Sequence, residues 1–142
     1  MLGQHSSLPG HVLYLVYATI LASCEDPESA IARLDEAEAL LDRPLACLAC
    51  PTGFHIAAAV ACAGAGRIER AGGHLRRAEE HASLWTTGPW PAAMAEARGA
   101  IALADGATGE AARLFGEAAD GFARWARPLD AARARGRLAR VG

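Results

Sequence analysis

The chain has 142 residues, with 14 basic side chains against 16 acidic ones and a formal net charge of −2. That length suits one domain or a short repeat array, and the near balance of charge argues against both intrinsic disorder and a general nucleic-acid binder. Ala dominates an apolar fraction of 52%, while aromatics make up only 6%, so a core must come from backbones that approach closely, not from large rings.

Strand signals are almost absent. Segments rich in Ala, Leu, Arg and Glu, all good helix formers, are broken by Gly and Pro at regular intervals. Propensity and pattern together predict seven helices, over 9–24, 27–43, 51–65, 67–86, 90–105, 108–126 and 128–140. The first holds the apolar run Val12 to Ala22, which ends in Leu21-Ala22-Ser23-Cys24, the form of a lipoprotein cleavage box with Cys24 as the lipidation site. Residues 1–11 carry no Arg or Lys, and the run is too short to span a bilayer. A buried first helix is therefore the preferred reading.

Asp26 is expected to cap the second helix, with Pro27 in its first turn. Gly64-Ala65-Gly66 reads as a helix stop, and Gly72-Gly73 as a point of close packing. Thr86-Thr87-Gly88-Pro89 is a turn signal. The stretch from Trp85 to Trp90 is expected to form a hinge with its rings wedged between helix pairs. Thr108 is expected to cap the sixth helix, and Pro128 opens the seventh.

The helices come in similar pairs. Ala30, Leu34 and Ala37 align with Ala71, Leu75 and Ala78, and then with Ala111, Phe115 and Ala118. The leading Ala residues stand 41 and then 40 positions apart. Each trio marks one helix face. Twelve residues before each trio stand Ala18, Ala59 and Gly99, all small. A small residue in the first helix lets the second cross it closely, and the larger Leu34, Leu75 or Phe115 fills the space beside the crossing.

These residues resemble the tetratricopeptide repeat (TPR), which carries small residues at the matching places in both helices. The resemblance covers about residues 11–126, with a unit near 40 residues instead of about 34. The bulky residue expected one turn before the first small residue is Tyr14 in the first unit, but His55 and Ala95 in the others. The proline that closes the family's unit is absent. The resemblance implies an all-α fold, an α-solenoid of about three TPR-like helical hairpins plus a C-terminal capping helix. An N-terminal arm over 1–10 would precede a repeat domain over 11–142, with hairpins over 11–43, 51–86 and 90–126 and a cap over 128–140. Residues 93–142 also resemble the C-terminal repeats of large ATP-dependent LuxR-type regulators of actinobacteria. The carrying residues are Ala104-Asp105-Gly106, Phe122 and Pro128-Leu129-Asp130-Ala131-Ala132-Arg133. Neither of that family's flanking domains is present, and the absence of Lys excludes a phosphate loop of the GxxxxGK[ST] form.

Catalytic and metal signals are weak. Cys47 and Cys50 form a CxxC, but no second pair follows to complete a zinc site. His55 and Cys62 are possible recruits, yet both fall on apolar helical positions, and buried thiols acting as small hydrophobes is the preferred reading. Glu36 with Glu38, and Glu79 with Glu80, read as solvated helix faces. No serine has a GxSxG setting, and no GxGxxG follows a strand. His74 and His81 read as surface histidines. No cofactor and no enzymatic activity are expected.

Charge is uneven along the chain. Residues 122–142 hold six Arg against Asp130, while 25–42 hold seven acids against Arg33. The Arg-rich end reads as an exposed capping helix with Ala131, Ala132, Leu138 and Val141 inward. Docking of an acidic partner is the competing reading, and direct nucleic-acid contact is disfavoured. The concave side of the array is expected to carry Val12, Leu15 and Thr19, then Ile56, Val60 and Ala63, then Glu96, Ala100 and Leu103. That row is apolar and predicts a protein partner, a neighbouring domain or a second copy of the chain. Mutual packing of the same residues is the competing reading. The expected function is a cytoplasmic, non-catalytic interaction or signal-sensing module. The alternatives are a fragment of a LuxR-type regulator and a small helical binder of an apolar ligand.

Overall fold

A computed structural model describes residues 10–41, 49–81 and 86–141. Its described part is all-helical, with seven α-helices: α1 (Gly10–Ser23), α2 (Pro27–Leu40), α3 (Ala49–Gly64), α4 (Ile68–Glu79), α5 (Trp90–Ala104), α6 (Thr108–Arg124) and α7 (Pro128–Val141). No strand occurs among the described residues, and no helix there is long and apolar enough to cross a membrane. The expected arm over 1–10 lies outside the described residues except for the backbone of Gly10. Cys47, the side chain of Cys50, and Trp85 also lie outside them.

The helices pack as antiparallel neighbours, α3 against α4, α5 against α6 and α6 against α7, while α1 lies on α3 and α3 on α5. The repeated trios point inward as their spacing predicts. Leu34, Ala37, Ala71, Ala78, Ala111, Phe115 and Ala118 are all buried. Ala59 is fully buried in a cluster with Ile56, Ala78, Met94 and Ala97, and Leu75 packs beside it. Gly99 is also buried, and a Cβ there would stand 2.8 Å from the Phe115 ring. Ala18 is half-buried. The largest cluster runs from Tyr14, Tyr17 and Leu21 of α1 through Phe54 and Cys62 of α3 to Phe115 of α6.

Three of the turns use one device. The amides of Gly66, Gly106 and Ala126 bond to Ala63, Leu103 and Ala123, and those of Arg67, Ala107 and Arg127 bond to Cys62, Ala102 and Phe122. This paired pattern closes a helix and satisfies its orphan carbonyls, and it needs a left-handed residue at the bend. Gly66 and Gly106 supply it with φ of 76° and 84°, but the third bend uses Ala126 at φ 53°. A side chain in that region costs energy that glycine avoids. Ala126→Gly is therefore expected to stabilise the fold by about 1 kcal/mol, offset in part by the freer unfolded chain. Urea unfolding of the two proteins checks this, and no gain would contradict it.

The helix starts follow the sequence in part. Asp26 caps α2 through its carboxylate, which accepts from the Ser29 amide at 2.8 Å. Thr108 does not cap α6. It is already helical, and Ala107 occupies the cap position without a side-chain bond, because the tight turn at Gly106 starts the helix one residue earlier than a threonine cap requires. Gly72 and Gly73 are not a close-packing point, since a Cβ at either would meet only the far end of Arg76. Trp90 is half-buried, and its ring lies 3.5 Å from where a Cβ of Gly53 would stand, bringing the start of α5 against α3.

The last helix, α7, buries Ala131 and Ala134, while Ala132 is exposed. The inward face is thus turned one position from the expected one, although Leu138 and Val141 still pack on the core. Glu96 of α5 is the reason. Its buried carboxylate accepts two bonds from Arg133, at 2.7 and 2.9 Å, and one from Arg137 at 2.9 Å. Arg133 also lies over the Phe122 ring at 5.6 Å. A buried carboxylate must be paired, so two of the Arg residues in the basic tail are committed to holding α7 in place.

Candidate functional site

The acidic stretch and the second hairpin meet across α2 and α4. Glu28, Asp35 and Glu38 line one side of α2, and Arg67, Arg70 and His74 answer them from α4. Arg67 pairs with Glu28 at 3.2 Å, and Arg70 donates to Asp35 at 2.7 Å and to Glu38 at 2.9 Å. Exposed pairs of this kind contribute little stability. They hold the two helices in register and set the rim of a cleft.

That cleft has a volume of about 470 Å³ and lies where α1, α2, α3 and α4 converge. Tyr14 and Phe54 form an apolar wall, their rings edge to face with centroids 5.3 Å apart. Leu41 adds to that wall, and Gly73 leaves the opposite side without a side chain. Glu38, His55, Arg70, His74 and Arg77 supply the polar lining.

A hydrogen-bonded chain runs along its inner surface. The Nδ1 atoms of His55 and His74 are 2.9 Å apart, and His74 Nε2 is 2.9 Å from Glu38 Oε1. Both rings are buried, at 9% and 7% exposure. Burial, then the proximity of His74, Arg77 and His81, pushes His55 down to about 4. Burial also lowers His74, against the opposing pull of Glu38. Both rings are therefore neutral near pH 7, and their protons are assigned by the partners. A carboxylate that accepts from Arg70 is an acceptor only, so His74 Nε2 carries a proton and donates it to Glu38. His74 Nδ1 is then the acceptor, and His55 Nδ1 must donate to it. His55 Nε2 is left with a free lone pair.

Two more groups in the cleft lack partners. Tyr14 is buried, and its hydroxyl has no hydrogen-bond partner among the described residues. Burial raises its phenol above the ordinary range, against the pull of Arg77, so it keeps its proton. The Arg77 guanidinium has no hydrogen-bond or ion-pair partner among the described residues.

The histidines overturn two expectations. His74 is not a surface residue, and Glu38 is not merely solvated, because side chains of α2 and α4 reach across to each other and join them. Glu36 likewise accepts from Tyr17 at 3.1 Å, and Glu79 from Arg98 at 3.1 Å. The repeat register carried the missing signal. His55 stands four before Ala59, and His74 three after Ala71, so both lie on crossing faces. The matching residues of the third hairpin are Ala95 and Leu114, buried together in one cluster.

The expected concave row is dispersed. Leu15 is 53% exposed and Leu103 41% exposed. Thr19 is exposed, its hydroxyl turned back to the Leu15 carbonyl at 3.0 Å, while Val12 and Val60 are half-buried. Ile56 is buried against Met94 and Ala97, and Glu96 lies under Arg133 and Arg137. Neither is offered to a partner. Cys62 is fully buried, and burial pushes its thiol up to about 11, as suits a small hydrophobe. Among the described residues no group of three or more His, Cys, Asp or Glu is placed to hold a metal ion. The CxxC expectation falls outside them.

No family model matches the chain, and neither does any curated protein or solved structure.

Proposed function

We propose that the chain is a TPR-like solenoid of three hairpins and a cap that acts as a non-catalytic sensing module, with the cleft between its first two hairpins as the ligand site. The observation that carries this reading is the hydrogen-bonded chain from Glu38 through His74 to His55, in a cleft also lined by Tyr14, whose hydroxyl has no partner among the described residues. An apolar pair, Ala95 and Leu114, fills the same register positions in the third hairpin. Folding alone does not call for histidines there, and buried polar groups without partners cost stability. Groups kept at that cost suit a ligand that satisfies them. The lining supplies donors, acceptors on Glu38 and His55 and an apolar wall, but no Ser, Thr or Cys nucleophile, which favours binding over catalysis. Its polarity favours a polar ligand over the apolar one expected from composition. The resemblance of residues 93–142 to the repeats of LuxR-type regulators supports a regulatory setting. The exposed Leu15 and Val16 of α1 suit contact with a neighbouring domain in such a setting.

The test is a titration of the full chain with small molecules pooled by charge, read on the ring protons of His55 and His74 by NMR. At least one pool is expected to shift both rings. No shift from any pool would overturn the reading.

A further inference from the structure

We infer that the cleft binds a small organic acid, with its carboxylate on Arg77 and Tyr14, its apolar body against Phe54 and Leu41, and a hydroxyl donating to His55 Nε2. The inference rests on the cleft being a ligand site, and it names the class of ligand.

Charge comes first. Arg70 is already shared between Asp35 and Glu38, so it offers little to an incoming anion. Arg77 is the cation in the lining that has no anion of its own among the described residues. A planar guanidinium suits a carboxylate. The Tyr14 hydroxyl is a neutral donor and adds a second bond to the same head group.

The remaining features set the rest of the ligand. Tyr14, Phe54 and Leu41 line one side of the cleft, an apolar side that a bare inorganic anion would not contact. The cleft volume of about 470 Å³ lies within the range of small-molecule sites. His55 Nε2 accepts and does not donate while His74 is held by Glu38. A second acceptor placed against it would be repelled, whereas a hydroxyl would be held. Hydroxy acids with a ring or short apolar chain meet all three demands.

The test uses four probes on the full chain: mandelate, benzoate, benzamide and inorganic phosphate. Shifts of the His55 and His74 ring protons and of the Tyr14 ring report occupancy. Mandelate is expected to bind best and benzoate next. Arg77→Gln is expected to weaken mandelate about tenfold or more, as loss of a charged hydrogen bond does, and Tyr14→Phe about fivefold, as loss of a neutral one does. Arg77 is exposed and Tyr14→Phe keeps the ring, so both variants are expected to fold. Equal binding of benzamide and benzoate would overturn the assignment of an acid while leaving the cleft as a site. Phosphate binding as tightly as mandelate would overturn the organic body. No shift with any probe would overturn the class, and the pooled titration then decides whether the cleft binds anything.

Discussion

Gly99→Ala is expected to destabilise the protein by about 2 kcal/mol, a large effect for a single methyl group. The new Cβ would stand 2.8 Å from both Cδ1 and Cε1 of Phe115 and 3.3 Å from the Leu114 Cβ. Phe115 is fully buried, so its ring has no solvent to retreat into, and α5 and α6 must separate. The other two hairpins pair Ala18 with Leu34 and Ala59 with Leu75, whereas the third pairs glycine with phenylalanine. Ring and missing methyl thus compensate each other. Adding Phe115→Leu to Gly99→Ala is expected to recover more than half of the loss, although Phe115→Leu alone destabilises. Urea unfolding of the four proteins gives the coupling between the two positions. Additive losses would mean that Gly99 does not govern this crossing.

Acid is expected to weaken the fold through the histidine pair. The folded protein holds His55 down to about 4, while the unfolded chain takes up a proton near the ordinary value of about 6.5. Between those values the unfolded state binds more protons, so stability falls as pH falls from about 6.5 to about 4, by up to about 3 kcal/mol for this one ring. His74 is lowered as well and contributes with the same sign. The groups that face the pair are Tyr14 from α1, Glu38 from α2, and Arg70, Arg77 and His81 from α4 or just beyond it. The double variant His55→Ala, His74→Leu copies the third hairpin, where Ala95 and Leu114 are buried together. It is expected to fold at pH 7 with some loss of stability from the cavity that His55→Ala leaves, and to lose most of the extra acid sensitivity. Unfolding curves at pH 7 and pH 4.5 check this. Parallel losses in both proteins would place the acid response elsewhere, in the surface carboxylates.

The helices and the repeat register are legible in the sequence for a physical reason. Ala30, Ala71 and Ala111 are all buried, so the spacing of small residues records the inward faces of the helices. The turn at Gly106 is legible because glycine tolerates the left-handed bend. The equivalent bend at Ala126 is hidden, since alanine gives no such signal. Most of the candidate site is hidden as well. His55, His74 and Glu38 lie far apart in sequence and meet only when α4 packs on α3 and its side chains reach those of α2. His74 and Glu38 read as surface residues, and the signal for the two histidines is only that each stands one turn from a small residue of the register. Glu96 is expected on the concave row and not as an anchor of the last helix, because its partners Arg133 and Arg137 read first as solvated charges of a basic tail.

The proton positions in the cleft connect the fold to its proposed role. Nitrogen-detected NMR of the imidazoles at pH 7 observes them in the full chain without any ligand. The expected result is His74 protonated at Nε2 and His55 at Nδ1, leaving His55 Nε2 as a bare acceptor. Finding His55 protonated at Nε2, or either ring positively charged at that pH, would contradict the chain from Glu38 inward and with it the acceptor on which ligand recognition depends.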